Sequence, residues 1–290
     1  MTTPSGERMR SISDTARLVA YHRAMETERA DAIFRDPYAR TLAGESGERF
    51  ARTLRWGRRG AWSTIVRTRL LDEEILKILS DGSTDVVLNL AAGLDARPYR
   101  MDLPASLRWV EVDLPEILTY KEQRLSGEKP KCRLERAALD LTRVEDRRAL
   151  LRRVNDAAQT CLVVSEGLLI YLEQDQVAAL AEDLHEQGRF ALWLTDIVGS
   201  MVVRRMNQML GRSLRSAGAA VRFGPPEGSA FFSPFGWRQA EFCDLLDGAR
   251  RLDRRMPLDW LLRAQQSLFP RRFEARYAKW RTGILLLGRQ

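Results

Sequence analysis

A chain of 290 residues and 33.2 kDa, 44% apolar and 30% charged, is long enough to bury its own core and too apolar to be disordered throughout. Its apolar runs, such as Leu168 to Leu172, fall far short of the roughly 18 to 20 residues of a membrane span, and the first thirty residues carry no signal-peptide pattern, so a cytoplasmic protein is expected. Three scattered cysteines exclude a disulfide framework, two histidines leave zinc sites and histidine triads poorly supplied, and the net charge is +8.

From Ser13 to about Leu79 the pattern is helical. Ser13 is a plausible N-cap, Asp36-Pro37 restarts a helix, and Gly44 can end one. After the Asp81-Gly82 turn the rhythm changes to short buried runs separated by helical stretches. Val86 to Ala91, Trp109 to Asp113, Cys161 to Ser165 and Phe190 to Thr195 read as strands, Arg133 to Leu139 as a weaker one, and Ile284 to Leu287 as the last. Pro115 to Leu125, Thr142 to Ala158 and Asp175 to Gln187 read as the intervening helices. Repeated strand and helix imply an α/β fold with a doubly wound, mostly parallel sheet. Gly211 to Trp237, rich in Gly, Ser, Pro and Phe, reads as a long loop or lid. From Arg251 to Gln290 there are ten basic and three acidic residues, a composition read as solvated arginines, or else as a face for a nucleic-acid backbone or an acidic partner.

In such a sheet ligands sit outside the carboxyl ends of the strands, so the strand tips carry the chemistry. The first tip, Asn89 to Arg97, has Gly93 where a dinucleotide fingerprint wants three glycines, and Asp95 would oppose a pyrophosphate; a plain tight turn is the alternative. Asp113 follows Gly93 by twenty residues, the spacing of a ribose-binding acid, and also suits a helix cap with Glu116. Asp140 is a candidate for an adenine amino group or an exposed loop acid, with the next cap assigned to Thr142 and Glu145. Glu166, directly after an apolar strand, needs a cation: a ligand or an internal arginine. Arg67 projects from the apolar face of a helix and suits a carboxylate, of a ligand or of the protein, while Arg69 can pair with Glu73. One guanidinium, several tip carboxylates and no phosphate cradle describe S-adenosylmethionine.

At these residues the sequence resembles the leucine carboxyl methyltransferase and polyketide O-methyltransferase group of class I S-adenosylmethionine-dependent enzymes. The likeness runs through Thr15-Ala16-Arg17, Arg23 to Arg29, Arg35 to Ala39, Arg67-Thr68-Arg69, Ala91 to Arg97, Glu111 to Pro115, Asp140-Leu141, Ser165-Glu166-Gly167 and Tyr171-Leu172. It implies a Rossmann-like methyltransferase sheet (81–290, with a lid insertion at about 200–245) behind an N-terminal helical extension (1–80) that covers cofactor and acceptor. It further implies Arg67 on the methionine carboxylate, Ala91, Gly93 and Asp95 against the cofactor, Asp113 on ribose, Asp140 and Leu141 around adenine, and Glu166 beside the methionyl part. Ala91 and Ala96 depart from the family's glycine and threonine, and a methyl group at 91 narrows the approach to the ligand.

The expected reaction is methyl transfer to a carboxylate or phenolic oxygen of a small molecule or peptide, with Tyr171 and Tyr21 as candidate catalytic residues and Arg23 near the acceptor. No metal, nucleic-acid or membrane partner is expected. The alternatives are a nicotinamide-dependent oxidoreductase on a similar sheet and a non-catalytic cofactor- or nucleic-acid-binding protein.

Overall fold

The structure, a computed structural model, describes residues 12–53, 60–216 and 220–290, so parts of the 1–80 extension and of the expected lid lie outside the described residues. Three helices come first: α1 (Ile12–Thr27), α2 (Ala39–Thr53) and α3 (Ala61–Leu79). The alternating part follows as β1 (Val86–Leu90), α4 (Arg97–Arg100), β2 (Arg108–Asp113), α5 (Pro115–Arg124), β3 (Arg133–Ala138), α6 (Val144–Asp156), β4 (Cys161–Ser165), α7 (Gln174–His185) and β5 (Phe190–Ile197). The chain continues with α8 (Ser200–Ser216), β6 (Trp237–Asp244), α9 (Leu245–Arg251), α10 (Asp259–Leu268), α11 (Pro270–Tyr277) and β7 (Gly283–Arg289).

The strands form one sheet in the order β3-β2-β1-β4-β5-β7-β6. The first five are parallel, and β7 runs antiparallel between β5 and β6. Successive side chains of each strand enter opposite layers. Val86, Leu88 and Leu90 pack with Val110, Val163 and the inner faces of α6 and α7, while Val87, Trp109, Leu162 and Val164 pack with α3 and α9. Burial on both faces is why these strands read as unbroken apolar runs rather than as alternating ones. A third cluster joins Ala20, Tyr21, Leu42 and Ala43 to Leu94 and Tyr99, seating α1 and α2 over the loop after β1.

Several local expectations change. Ser13 lies inside α1, not at its cap. Gly44, at φ +57°, kinks α2 without ending it. Leu114 and Arg143 occupy the N-cap positions of α5 and α6, with no side-chain cap in either, so Asp113 and Thr142 do not initiate these helices. The stretch expected as a structureless lid holds a 3-10 segment over Gly228–Phe235 and ends where β6 begins. That strand, absent from the expected set, is an edge strand with exposed Arg238 and Glu241 and a register shift between Gln239 and Glu241. Charges and bulges are how an edge discourages pairing with another chain, and they also erase the apolar run that would mark a strand. Among the described residues, no helix is long and apolar enough to cross a membrane.

Candidate active site

β1 pairs with β2 on one side and β4 on the other, so the order of the sheet reverses there and a crevice opens beyond Leu90 and Ser165. The loop after β1 turns through two left-handed residues, Ala91 and Gly93, both at φ +52°. Glycine takes that conformation freely, whereas alanine carries a steric cost of about 1–2 kcal/mol. Ala91 therefore stores strain beside the crevice.

Asp113, at the end of β2, fastens this loop: its Oδ2 accepts from the Gly93 N–H at 2.6 Å and its Oδ1 from the Leu114 N–H at 2.7 Å. Burial lifts the Asp113 carboxyl above its ordinary value, and the two N–H groups only partly offset that. Asp140 is partly buried and its Oδ1 accepts from the N–H and hydroxyl of Thr142 at 2.9 and 2.7 Å, a local turn that Thr142 serves in place of the expected cap. Leu141 beside it is held by its carbonyl, which accepts from Arg147 Nη1 at 2.7 Å.

On the β4 side, Arg67 and Glu166 find each other. Arg67 Nε donates to Glu166 Oε1 at 3.0 Å and its Nη1 to Asp196 Oδ2 at 3.3 Å, so the internal-partner reading applies to both residues. Among the described residues, the Arg67 Nη2 group has no protein acceptor. Gly167, at φ +66°, lies against this guanidinium: a Cβ there would touch Arg67 Nη1 at 3.4 Å. The second oxygen of Glu166 accepts from Arg97 Nη1 at 2.8 Å, which also reaches Asp95 Oδ2 at 3.0 Å, while Arg97 Nε binds Asp72 at 2.7 Å. Asp72 in turn receives both Nη groups of Arg100 at 2.7 Å. Burial raises the Asp95 and Glu166 carboxyls, but the arginines around them win and hold both below their usual range.

Arg97, Asp72 and Asp196 were missed in the sequence. Asp72 could have been found as Arg67 was, since it lies on the apolar face of α3 between Ile65 and Leu79. Asp196 lies one residue past the expected end of its strand. Arg97 carried no such mark, because an arginine before Pro98 at a loop end reads as solvated.

The other candidates separate. Tyr171, partly buried at the end of a 3-10 turn, is hydrogen-bonded to Thr15 of α1, and burial raises its hydroxyl pKa further than Arg67 lowers it. Tyr21 is 5% exposed within the cluster under α1 and α2. Arg23 is equally buried, with Nε on Asp36 at 2.8 Å and Nη2 on the Leu94 carbonyl at 2.6 Å. Its guanidinium ties α1 to the loop after β1.

The family profile of leucine carboxyl methyltransferase matches residues 16–185, which takes in most of α1, the loop after β1 and every tip as far as β4. The chain belongs to the leucine carboxyl methyltransferase family. A relative from Streptomyces coelicolor is 38% identical over 185 residues, covering 60% of this chain and 64% of its own, and carries the provisional name of an S-adenosyl-L-methionine-dependent methyltransferase. One from Streptomyces avermitilis, named likewise, is 34% identical over 221 residues and covers 72% of this chain and 71% of its own. The match spans 64, 61 and 62% of the length of three such relatives, just under two thirds. A crystal structure of a DUF574 family protein from Streptomyces avermitilis shares the fold at a TM-score of 0.60 and 12% identity, over 95% of this chain and 97% of that one. For this leucine carboxyl methyltransferase family member, the doubly wound, mostly parallel sheet agrees with the fold of that neighbour.

Proposed function

We propose that the chain is an S-adenosylmethionine-dependent O-methyltransferase that methylates a carboxylate or phenolic oxygen of a small molecule or peptide. The observation that carries this is the charge around the β1 and β4 tips. Asp95, Glu166 and Asp196 face the guanidinium groups of Arg67 and Arg97, an excess of one carboxylate. A diphosphate would be repelled there, which counts against the nicotinamide reading. The amino-acid end of S-adenosylmethionine, with ammonium, sulfonium and carboxylate, brings one net positive charge and fits. The free Nη2 edge of Arg67 suits its carboxylate. The Asp113 oxygens each accept one N–H and keep lone pairs for ribose hydroxyls. Asp140 and Leu141 flank the adenine end. Family membership and the names of the relatives support the same cofactor.

The cofactor supplies a methyl group already activated on a sulfonium. What remains for the protein is to align an acceptor oxygen with it and keep water out. Tyr171, tied to α1, covers the Arg67 side of the crevice, and its raised pKa keeps its proton in place, so it donates a hydrogen bond and positions the acceptor without serving as a base. Asp95 and Glu166, held ionised by arginines, are weak bases as well. An acceptor that arrives already ionised needs neither, which favours a carboxylate or an acidic phenol over an alkyl alcohol.

The test is thermal shift with S-adenosylhomocysteine and NAD, followed by labelled-methyl transfer into carboxylate and phenol panels. Stabilisation by S-adenosylhomocysteine is expected, and stabilisation by NAD alone would overturn the reading. Label released as methanol in mild base marks a methyl ester, and base-stable label marks an aryl ether.

A further inference from the structure

The helical excursion between β6 and β7 has its surface inverted. An amphipathic helix normally turns its apolar stripe to the protein. In α10 the residues turned inward are Asp259, Leu262 and Gln266, and Arg250 Nε and Nη1 hold Asp259 and Gln266 at 3.0 and 3.2 Å. At 3.6 residues per turn, Trp260, Leu261, Ala264 and Leu268 share about 100° of arc on the opposite side. Trp260 is 66% exposed, Leu261 42% and Leu268 70%, and Leu258 and Phe269 at the two ends of the helix are 63% and 56% exposed. This arc is apolar, with Ser267 and Gln265 at its two edges, and among the described residues nothing covers it.

Its flanks are basic. Arg255, Arg263, Arg271, Arg272 and Arg276 are exposed around the stripe. The root is fixed rather than loose: Arg254 holds the buried Glu26 of α1 with Nη2 at 2.8 Å, and Tyr277 donates its hydroxyl to Asp244 Oδ1 at 2.8 Å. Since β5 and β6 both run antiparallel to β7, the excursion leaves the sheet at the same end as the crevice.

We propose that the α10–α11 face is a docking surface for an anionic lipid bilayer, which it meets with α10 lying in the interface. A row of Trp, Leu and Phe between arginines matches the acyl boundary and the anionic headgroups respectively. A second copy of the chain would bring the same positive face and be repelled. A nucleic acid would satisfy the arginines and leave the aliphatic side chains in water. The absence of a spanning helix has no bearing on surface binding, and the proposal is independent of the reaction assigned to the crevice.

The experiment is co-sedimentation of the full chain with vesicles of equal parts phosphatidylglycerol and phosphatidylcholine, and with phosphatidylcholine alone. The chain is expected to pellet with the anionic vesicles at least about fivefold more than with the neutral ones, and less as salt rises. Leu261→Ser with Leu268→Ser is expected to cut the bound fraction about tenfold, and Arg271→Glu with Arg272→Glu to remove the preference for anionic lipid. All four side chains are exposed, so both variants should keep the parent's melting temperature and its shift with S-adenosylhomocysteine. Failure to pellet with anionic vesicles would overturn the proposal, as would binding that survives the double serine variant. A dimer in light scattering that the serine variant dissociates would assign the face to a second copy, and binding to a DNA oligomer lost only in the glutamate variant would assign it to nucleic acid.

Discussion

Two regions of this molecule break the usual partition of residues in opposite directions. Beneath the crevice, charge is buried: Arg97 is 1% exposed and Asp72 3%. On α10, apolar groups are in water. The first region resolves most of its own conflict, since each buried guanidinium meets carboxylates at hydrogen-bond distance and only Arg97 Nη2 and Arg100 Nε are left without a hydrogen-bond partner there. The second has no such resolution among the described residues. A buried charge with its partners supplied is part of the scaffold that aims a site, whereas an exposed apolar stripe without a cover calls for something outside the chain.

The largest effect should come from breaking the first region. Arg97→Met leaves Asp95, Glu166 and Asp72 facing one another without their shared cation, and a loss of about 3–5 kcal/mol in chemical denaturation is expected. A loss below about 1 kcal/mol would mean that the network is not buried as described. Next comes Asp113→Ala, which removes both the anchor of the Gly93 turn and the proposed ribose acceptor. Titration calorimetry should show S-adenosylhomocysteine binding weakened about 10- to 100-fold, and unchanged affinity would refute the placement of ribose.

The pH dependence sharpens the same contrast. Asp113 is raised, so affinity for S-adenosylhomocysteine should be full above its shifted pKa and begin to fall at a higher pH than an ordinary aspartate near 3.9 would dictate. Asp95 and Glu166 are depressed, so the stability they contribute is present above their unfolded values and lost only as pH falls beneath those values towards the folded ones. Calorimetry from pH 7 to 4 should therefore show binding weakening while the melting temperature still holds the contribution of these two groups. Simultaneous loss would count against the assignment.

Smaller still is Ala91→Gly. Relief of the left-handed alanine outweighs the extra freedom of glycine in the unfolded chain, for a net gain of about 0.5–1 kcal/mol by denaturant melt. A destabilised variant would show that the strain at Ala91 is not real. The smallest effect is expected at Trp260→Ser, where stability should stay within about 0.5 kcal/mol because that side chain touches solvent.

What the sequence discloses follows from the same partition. Val86 to Leu90 and Cys161 to Ser165 are buried on both faces, and nothing but an apolar run serves there, so these strands were plain. The tips that follow a buried strand were equally plain, which is how Asp113 and Glu166 came to notice. The mutual pairing of Arg67 and Glu166 was left open because the two are 99 residues apart and only the sheet order brings them together. The edge strand β6 stayed hidden since half of it faces water, and nothing next to Arg23 in the sequence hints that Asp36 and the Leu94 carbonyl will enclose it. The inverted face of α10 was legible only as an excess of positive charge, because a helical wheel shows a stripe but not which way it turns.

The place of β7 between β5 and β6 constrains how the molecule assembles. β6 emerges from synthesis first, yet it has no strand to lie against until β7 has been made, with three helices of intervening chain to be completed beforehand. During that interval β5 presents an unpaired rim. A chaperone that shields this rim, or a slow codon run that prolongs the wait, would act on the yield of native protein without altering a single contact in the finished fold.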